Sequence, residues 1–196
     1  MNSNSIKYSY MIFLILSLAF IRLIPHAPNF TPIIALSIYA GIKFNNKYLA
    51  LMVPLFSMVL SDLFIGFHSS MLAVYFCIVL NVFMGMCFYN KFNFVNYMTL
   101  SLIGSCLFFI ITNFSVWVVS GMYVHTLAGL ISCYILALPF FTNTIISSLF
   151  FGAGIYLATI ILEKKGVEKT ATRFNITQNG IVSVSGNLFK KLVPEN

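Results

Sequence analysis

Hydrophobic positions divide the chain into long apolar runs that are separated by short polar breaks. A helix of about 20 apolar residues is long enough to cross a membrane, and fewer suffice where the helix is shielded. The pattern predicts an all-α fold with six helices, over residues 8–24, 33–44, 49–66, 71–89, 97–119 and about 141–162. The second helix is short for a full span, so we expect it to pack inside the bundle.

Residues 127–138 and the C-terminal stretch depart from this pattern. Residues 127–138 are apolar but too short to span, and Pro139 follows them. Proline lacks an amide donor and clashes with the preceding turn, so we expect a break there. The stretch is then a short helix at one membrane face, with re-entrant, interfacial and spanning placements open. Residues 163–196 are polar and predict a tail separate from a transmembrane domain 1–162, either disordered or a hairpin around Asn179-Gly180.

The polar break at residues 22–32 holds three of the six prolines in the chain. Three prolines in eight residues exclude a continuous helix. Irregular backbone at membrane depth persists only where protein buries it or where it lines a wet cavity. The loop carries His26, Asn29 and Thr31, whose side chains can hydrogen-bond a polar ligand. We therefore expect this first loop to form one wall of a solute site.

Composition and charge place these helices in a membrane. Hydrophobic residues make up 60% of the chain and charged residues 8%, against about 25% charged in soluble domains. With the N-terminus inside and six crossings, ten of the eleven lysines and arginines fall on the cytoplasmic side, as the positive-inside rule requires. The net charge of +7 is therefore a topology signal, and no nucleic-acid partner is expected. Both termini are predicted to be cytoplasmic.

This topology gathers polar residues at the outer face. Asp62 is the only acid among residues 1–162, and an intramembrane carboxylate costs about 2.5–3.5 kcal/mol on insertion scales and marks function by default. Ligand contact, pairing with the outer Arg22 and a solvated helix end are the alternatives for Asp62. Asn113 and Trp117 lie one turn apart and suit a flat, hydrogen-bonding ligand; the alternative is an interhelical contact with an interfacial anchor. Asn143 and Thr144 lie at the outer start of the last helix.

Other patterns carry less chemistry. Asn81, in mid-span, is expected to hydrogen-bond a neighbouring helix. Three small-residue pairs favour close helix packing: Ser37-x-x-x-Gly41, Ser57-x-x-x-Ser61 and Ser101-x-x-x-Ser105. His26, His68 and His125 are weak metal candidates that share no ligand spacing. Catalytic and phosphate-binding motifs are missing from the sequence, so neither an enzyme nor a cofactor is predicted; a metal-dependent intramembrane enzyme is the third reading.

Several motifs together suggest a family. They are Arg22-Leu-Ile-Pro-His-Ala-Pro-Asn-Phe-Thr-Pro32, Thr112-Asn113-Phe114 with Trp117, Thr126-Leu-Ala-Gly129, Cys133-Tyr134, and Ala137-Leu-Pro-Phe-Phe141 with Asn143-Thr144. The set resembles a family of uncharacterised bacterial membrane proteins described as transport proteins and related to the substrate-binding (S) components of energy-coupling factor transporters.

The resemblance implies a six-helix S-component-like bundle in the bacterial inner membrane. It would capture a small solute, either a vitamin-like molecule or a metal ion, at its outer face for uptake. Partners would be the solute, the lipid bilayer, and a transmembrane coupling subunit with ATPases. The implied substrate-binding residues are His26, Asn29, Thr31, Asp62, Asn113, Trp117, Tyr134, Asn143 and Thr144. The alternative is a non-transporting membrane scaffold that docks a partner through its helices or basic tail.

Overall fold

The computed structural model describes Phe13, Ser17 and residues 20–24, 27–67 and 69–192, with side chains up to Lys164. Over these residues the fold is all-α. A single 3-10 turn, Ile21–Leu23, precedes five α-helices, which are α1 (Ile33–Lys43), α2 (Lys47–Ile65), α3 (Met71–Cys87), α4 (Phe94–Val119) and α5 (Leu127–Leu192).

The first predicted helix, residues 8–24, lies mostly outside the described residues. Phe13, Ser17 and Phe20 have helical backbone, and the 3-10 turn follows them. A count of six helices therefore stays a prediction.

Asparagine caps determine where α2 and α4 begin. The Asn46 side chain accepts hydrogen bonds from the amides of Tyr48 and Leu49, at 2.9 and 3.4 Å. The Asn93 side chain accepts one from the Asn96 amide at 2.8 Å. Side-chain oxygens at these positions satisfy amides that the first helical turn leaves unpaired. The polar breaks of the sequence are thus helix start signals as well as turns.

Helix α1 is the centre of the bundle, as its short length predicted. Every residue from Ile33 to Ile42 is buried, and α1 packs against α2, α3 and α4. The Tyr97 hydroxyl on α4 donates to the Ala35 carbonyl at 2.8 Å. A helix that is apolar on all sides and enclosed by others needs no lipid contact of its own.

Glycines allow the backbones of α1 and α3 to meet. A methyl group at Gly41 would collide with the Val82 carbonyl oxygen, and one at Gly85 with the Ile38 carbonyl oxygen. Small residues at such crossings permit close helix approach in membranes. The predicted small-residue pairs, which include Ser37 with Gly41, are all buried.

Asn81 contacts a neighbouring helix without hydrogen-bonding to it. Its amide nitrogen donates to the Cys77 carbonyl of its own helix at 2.8 Å. Its Oδ1 is buried without a partner in the described part of the chain and lies against Gly104 on α4. The predicted interhelical hydrogen bond is therefore wrong, because Gly104 offers only a Cα–H at this point of close approach.

Among the described residues, three helices are long and apolar enough to cross a membrane: Lys47–Ile65, Phe94–Val119 and Leu127–Lys164. On the surface of the bundle, these helices carry large exposed apolar side chains such as Phe56, Ile110 and Phe150. Soluble monomers rarely expose contiguous apolar surface on this scale. These helices and the composition together indicate a membrane protein.

The predicted break at Pro139 is wrong. Helix α5 passes through Pro139 without interruption, so residues 127–138 are its first turns rather than a separate short helix. Pro54 lies inside α2 in the same way. In an apolar environment a proline costs one backbone hydrogen bond, whereas ending the helix would leave several backbone groups unpaired. Continuing the helix through proline therefore costs less here than ending it.

The chain divides into two compact units, Met1–Ile155 and Tyr156–Asn196. In the second unit, the described backbone is the C-terminal part of α5, which is helical to Leu192. Disorder or a hairpin was the expectation for residues 163–196, and the backbone around Asn179-Gly180 is helical instead. A domain boundary at residue 162 stays a prediction.

Candidate functional site

Asp62 lies one turn before the end of α2, at the centre of a polar cluster. Arg22 Nη1 donates to Asp62 Oδ1 at 3.1 Å and to Ser61 Oγ at 2.7 Å, and it also contacts the Met58 sulfur. The Tyr75 hydroxyl on α3 donates to the other carboxylate oxygen, Oδ2, at 3.0 Å. We call Arg22, Met58, Ser61, Asp62 and Tyr75 the arginine clamp.

Burial decides between the alternatives for Asp62. The Asp62 side chain is 1% exposed and that of Arg22 14%, so the expected ion pair is present and a solvated helix end is wrong. The chain leaves the helix just beyond, at Gly66 with φ 103°, a conformation that suits glycine. Both carboxylate oxygens of Asp62 have donors within the protein. Asp62 thus acts first as an anchor for Arg22.

A second cluster fastens the first loop to α5. Asn143 Nδ2 donates to the Pro28 carbonyl at 3.0 Å, and Ser147 Oγ donates to the Asn29 carbonyl at 3.4 Å. The Phe30 ring lies 5.6 Å from the Phe151 ring, measured between centroids. We call residues 27–32, with Asn143 and Ser147, the loop anchor.

Asn29 shapes the loop through its backbone. Its φ of 61° is left-handed, which asparagine tolerates better than most residues. Its carbonyl accepts the Thr31 amide at 3.1 Å as well as the Ser147 hydroxyl, and its side chain is exposed. The loop is therefore held by its carbonyl groups, which leaves the Asn29 side chain outside the bundle.

A third cluster closes the connection between α4 and α5. Trp117 Nε1 donates to the Val124 carbonyl at 3.1 Å, and His125 Nε2 lies 3.0 Å from the Trp117 carbonyl oxygen. The two rings meet edge to face with centroids 5.3 Å apart. These contacts fix the turn, and they use the indole donor that a ligand would otherwise need.

Asn113 lies one turn before Trp117 on α4, and Tyr134 of α5 contacts the same part of α4. Asn113 Nδ2 donates to the Phe109 carbonyl of its own helix at 2.8 Å. The Tyr134 hydroxyl donates to the Ile110 carbonyl at 2.7 Å, and Cys133 donates to the Asn113 carbonyl at 3.4 Å. The Asn113 amide nitrogen thus bonds its own helix and the Trp117 indole bonds the following turn, so their role as a ligand face stays a prediction.

A family model covers most of the chain. The family of unknown function DUF6580 matches residues 2–170. The chain belongs to this family. Searches of curated proteins and of solved structures gave no match. DUF6580 is a family of unknown function, so the function of this protein has to be argued from its residues.

The predicted site residues fall into separate hydrogen-bonded groups rather than one. Asp62 belongs to the arginine clamp, Asn29, Thr31 and Asn143 to the loop anchor, and Trp117 to the α4–α5 turn. Thr144 donates to the Phe140 carbonyl of its own helix at 2.9 Å. His26 and His68 lie outside the described residues. Within the described part of the chain, no group of three His, Cys, Asp or Glu residues could hold a metal.

Sequence reasoning missed Tyr75 and Ser147 as members of these clusters. A signal for Ser147 exists, because it lies four residues after Asn143 and therefore on the same helix face. Ser148, its neighbour, is bonded to Ser105 of α4 at 2.9 Å. Two adjacent hydroxyls in an apolar run thus join α5 to the loop on one side and to α4 on the other. No comparable signal distinguishes Tyr75 among the ten tyrosines of the chain.

Proposed function

We propose that this DUF6580 protein captures a small solute at one membrane face, as S components do, and takes part in its uptake. The observation that carries the proposal is the double anchoring of the segment before α1. Arg22 fastens its start to Asp62 of α2, which Tyr75 of α3 also bonds, and the loop anchor fastens its end to α5. A short, proline-rich segment is thereby attached to the bundle at both ends.

Such anchoring suits a binding wall. Irregular backbone at membrane depth needs partners for its carbonyl groups, and Asn143 and Ser147 supply two of them. Once the carbonyls are satisfied by α5, polar side chains of the loop are free to meet a ligand. Pre-organised side chains bind more tightly because less conformational freedom is lost on binding. His26, Asn29 and Thr31 remain the proposed loop contacts, and the outer face, the coupling subunit and the ATPases remain part of this proposal.

The proposal is tested by ligand-dependent melting of the purified protein in detergent. The panel consists of vitamins, nucleobases and divalent cations. A solute that binds only the folded protein stabilises it by mass action, by about 2.7 kcal/mol at a concentration of 100 Kd. We expect at least one class of solute to raise the melting temperature. An unchanged melting temperature across the panel would contradict solute capture and favour the membrane scaffold.

Removal of the loop anchor should loosen residues 27–32. Neutral hydrogen bonds contribute about 1 kcal/mol each, so Asn143→Ala and Ser147→Ala should each cost about that much. Amide hydrogen exchange at Asn29 and Phe30 should accelerate in both variants, and solute-induced stabilisation should weaken. The matched control is Thr142→Ala, because Thr142 is exposed and its hydroxyl donates to the Leu138 carbonyl of its own helix. Equal exchange rates in all three variants would show that the loop is held by other contacts.

A further inference from the structure

Within the described part of the chain, Arg22 uses one of its three guanidinium nitrogens. Its contacts with Met58, Ser61 and Asp62 all involve Nη1. Among the described residues, Nε and Nη2 donate to no acceptor. A guanidinium carries five N–H groups in a rigid plane. Most of the donor capacity of this largely buried residue is therefore unused.

The unused nitrogens form one complete edge of the guanidinium. The Nε–H and one Nη2–H point in parallel, which is the geometry that a carboxylate or phosphate accepts with two oxygens at once. Asp62 does not occupy this edge because its Oδ1 meets Nη1 and its Oδ2 is held by Tyr75. The clamp thus fixes the plane of Arg22 and leaves its two-pronged edge available.

Residues 1–162 contain no second carboxylate that could pair with this edge of Arg22, since Asp62 is the only one. The Arg22 side chain retains 14% exposure. Among the described side-chain atoms, only Asn81 Oδ1 is buried without a partner, so the unused Arg22 nitrogens still reach solvent. An external oxyanion can therefore approach this edge and accept hydrogen bonds from both nitrogens.

We infer that the Nε/Nη2 edge of Arg22 binds an oxyanion, the carboxylate or phosphate group of the captured solute. This inference rests on the proposed function and narrows its substrate class to small anions. Arg22 then works as a binding residue, and Asp62 and Tyr75 are positioning residues that orient it. Neutral solutes would form no charged pair with this edge, and metal cations would be repelled by its positive charge.

The test compares acids with their neutral esters on the wild-type protein. Aliphatic and aromatic monocarboxylates, their methyl esters and inorganic phosphate are titrated in detergent, with melting temperature as the readout. We expect a stabilising acid to bind about tenfold more tightly than its ester, a difference that one bidentate charged contact readily supplies. Arg22→Lys should abolish this preference, because lysine keeps the charge near Asp62 but lacks the planar fork.

Two controls separate binding from folding. Tyr48→Phe removes an exposed hydroxyl at the N-terminal end of α2 that lies far from Asp62, so it should retain both the melting temperature and the acid preference. The acid–ester comparison uses the wild-type chain, so it remains decisive if Arg22→Lys does not fold. A lipid source for the oxyanion is examined in nanodiscs of phosphatidylglycerol and of phosphatidylcholine.

The outcomes are distinct. Stabilisation by an acid or by phosphate that is lost in the ester and in Arg22→Lys supports the inference. Equal binding of acid and ester, or binding of neutral solutes only, overturns the inference and leaves solute capture intact. Stabilisation by phosphatidylglycerol alone, lost in Arg22→Lys, assigns the edge to a lipid headgroup and overturns the solute assignment. A protein that responds to no solute overturns the proposed function as well.

Discussion

Gly85→Ala is expected to destabilise the helical bundle by about 3 kcal/mol, at the upper end of the usual cost of overpacking a core. The added methyl group would collide with the Ile38 carbonyl oxygen of α1. The obstacle is backbone rather than a flexible side chain, so no rotamer change can relieve the collision. Helix α1 is enclosed on all sides, and its displacement would disturb its contacts with α2 and α4 as well.

Unfolding of the purified variant in detergent, followed by circular dichroism against added denaturing surfactant, measures this loss. Gly41→Ala should behave similarly, because its methyl group would meet the Val82 carbonyl oxygen of α3 at the same crossing. The matched control is Gly154→Ala on α5, where no described atom beyond the nearby backbone of α5 itself lies within 4 Å of the added methyl. Alanine is the better helix former by about 0.5–1 kcal/mol, so the control should be neutral or slightly more stable. Equal stability of Gly85→Ala and Gly154→Ala would contradict the close crossing.

The helices α1 to α4 are predictable from sequence because hydrophobic runs and asparagine caps are both local signals. Two observed helices begin at Ile33 and Met71, and another ends at Val119, as predicted. The start of α4 at Phe94 instead of residue 97 follows from the cap at Asn93, which hydrophobicity does not detect. Pro139 misled the prediction because the local rule for proline takes no account of an apolar surrounding.

The ion pair is also predictable, because the topology leaves one acid and one base at the same level. The hydrogen bond from Tyr75 to Asp62 is not predictable from sequence, since it depends on how α3 crosses α2. The partners of the first loop lie more than 100 residues away, so only the packing of α5 reveals Asn143 as their donor. Asn113 and Trp117 show how little residue type and spacing decide, and their ligand role stays a prediction. Their types and spacing suit a ligand, but nearby carbonyls already accept their hydrogen bonds.

Asp62→Ala is expected to cost about 3 kcal/mol, the lower end of the range for breaking a buried ion pair by removing one partner. The variant would leave the Arg22 charge with only Ser61 and Met58 beside it. The residual exposure of Arg22 allows some hydration, which is why the lower end applies. The segment before α1 should lose its attachment to α2, and hydrogen exchange in the Ile21–Leu23 turn should accelerate.

A double variant separates the ion pair from the packing around it. Replacing both charges by apolar residues of similar size often restores stability, because neither desolvation nor an unpaired charge remains. Arg22→Met combined with Asp62→Leu should therefore unfold close to the wild-type surfactant concentration, whereas each single change should not. Tyr75→Phe removes one hydrogen bond and should cost only about 1 kcal/mol. If Asp62→Ala were as stable as Tyr75→Phe, Arg22 would not depend on Asp62, and the clamp could not hold its free edge in place for an anion.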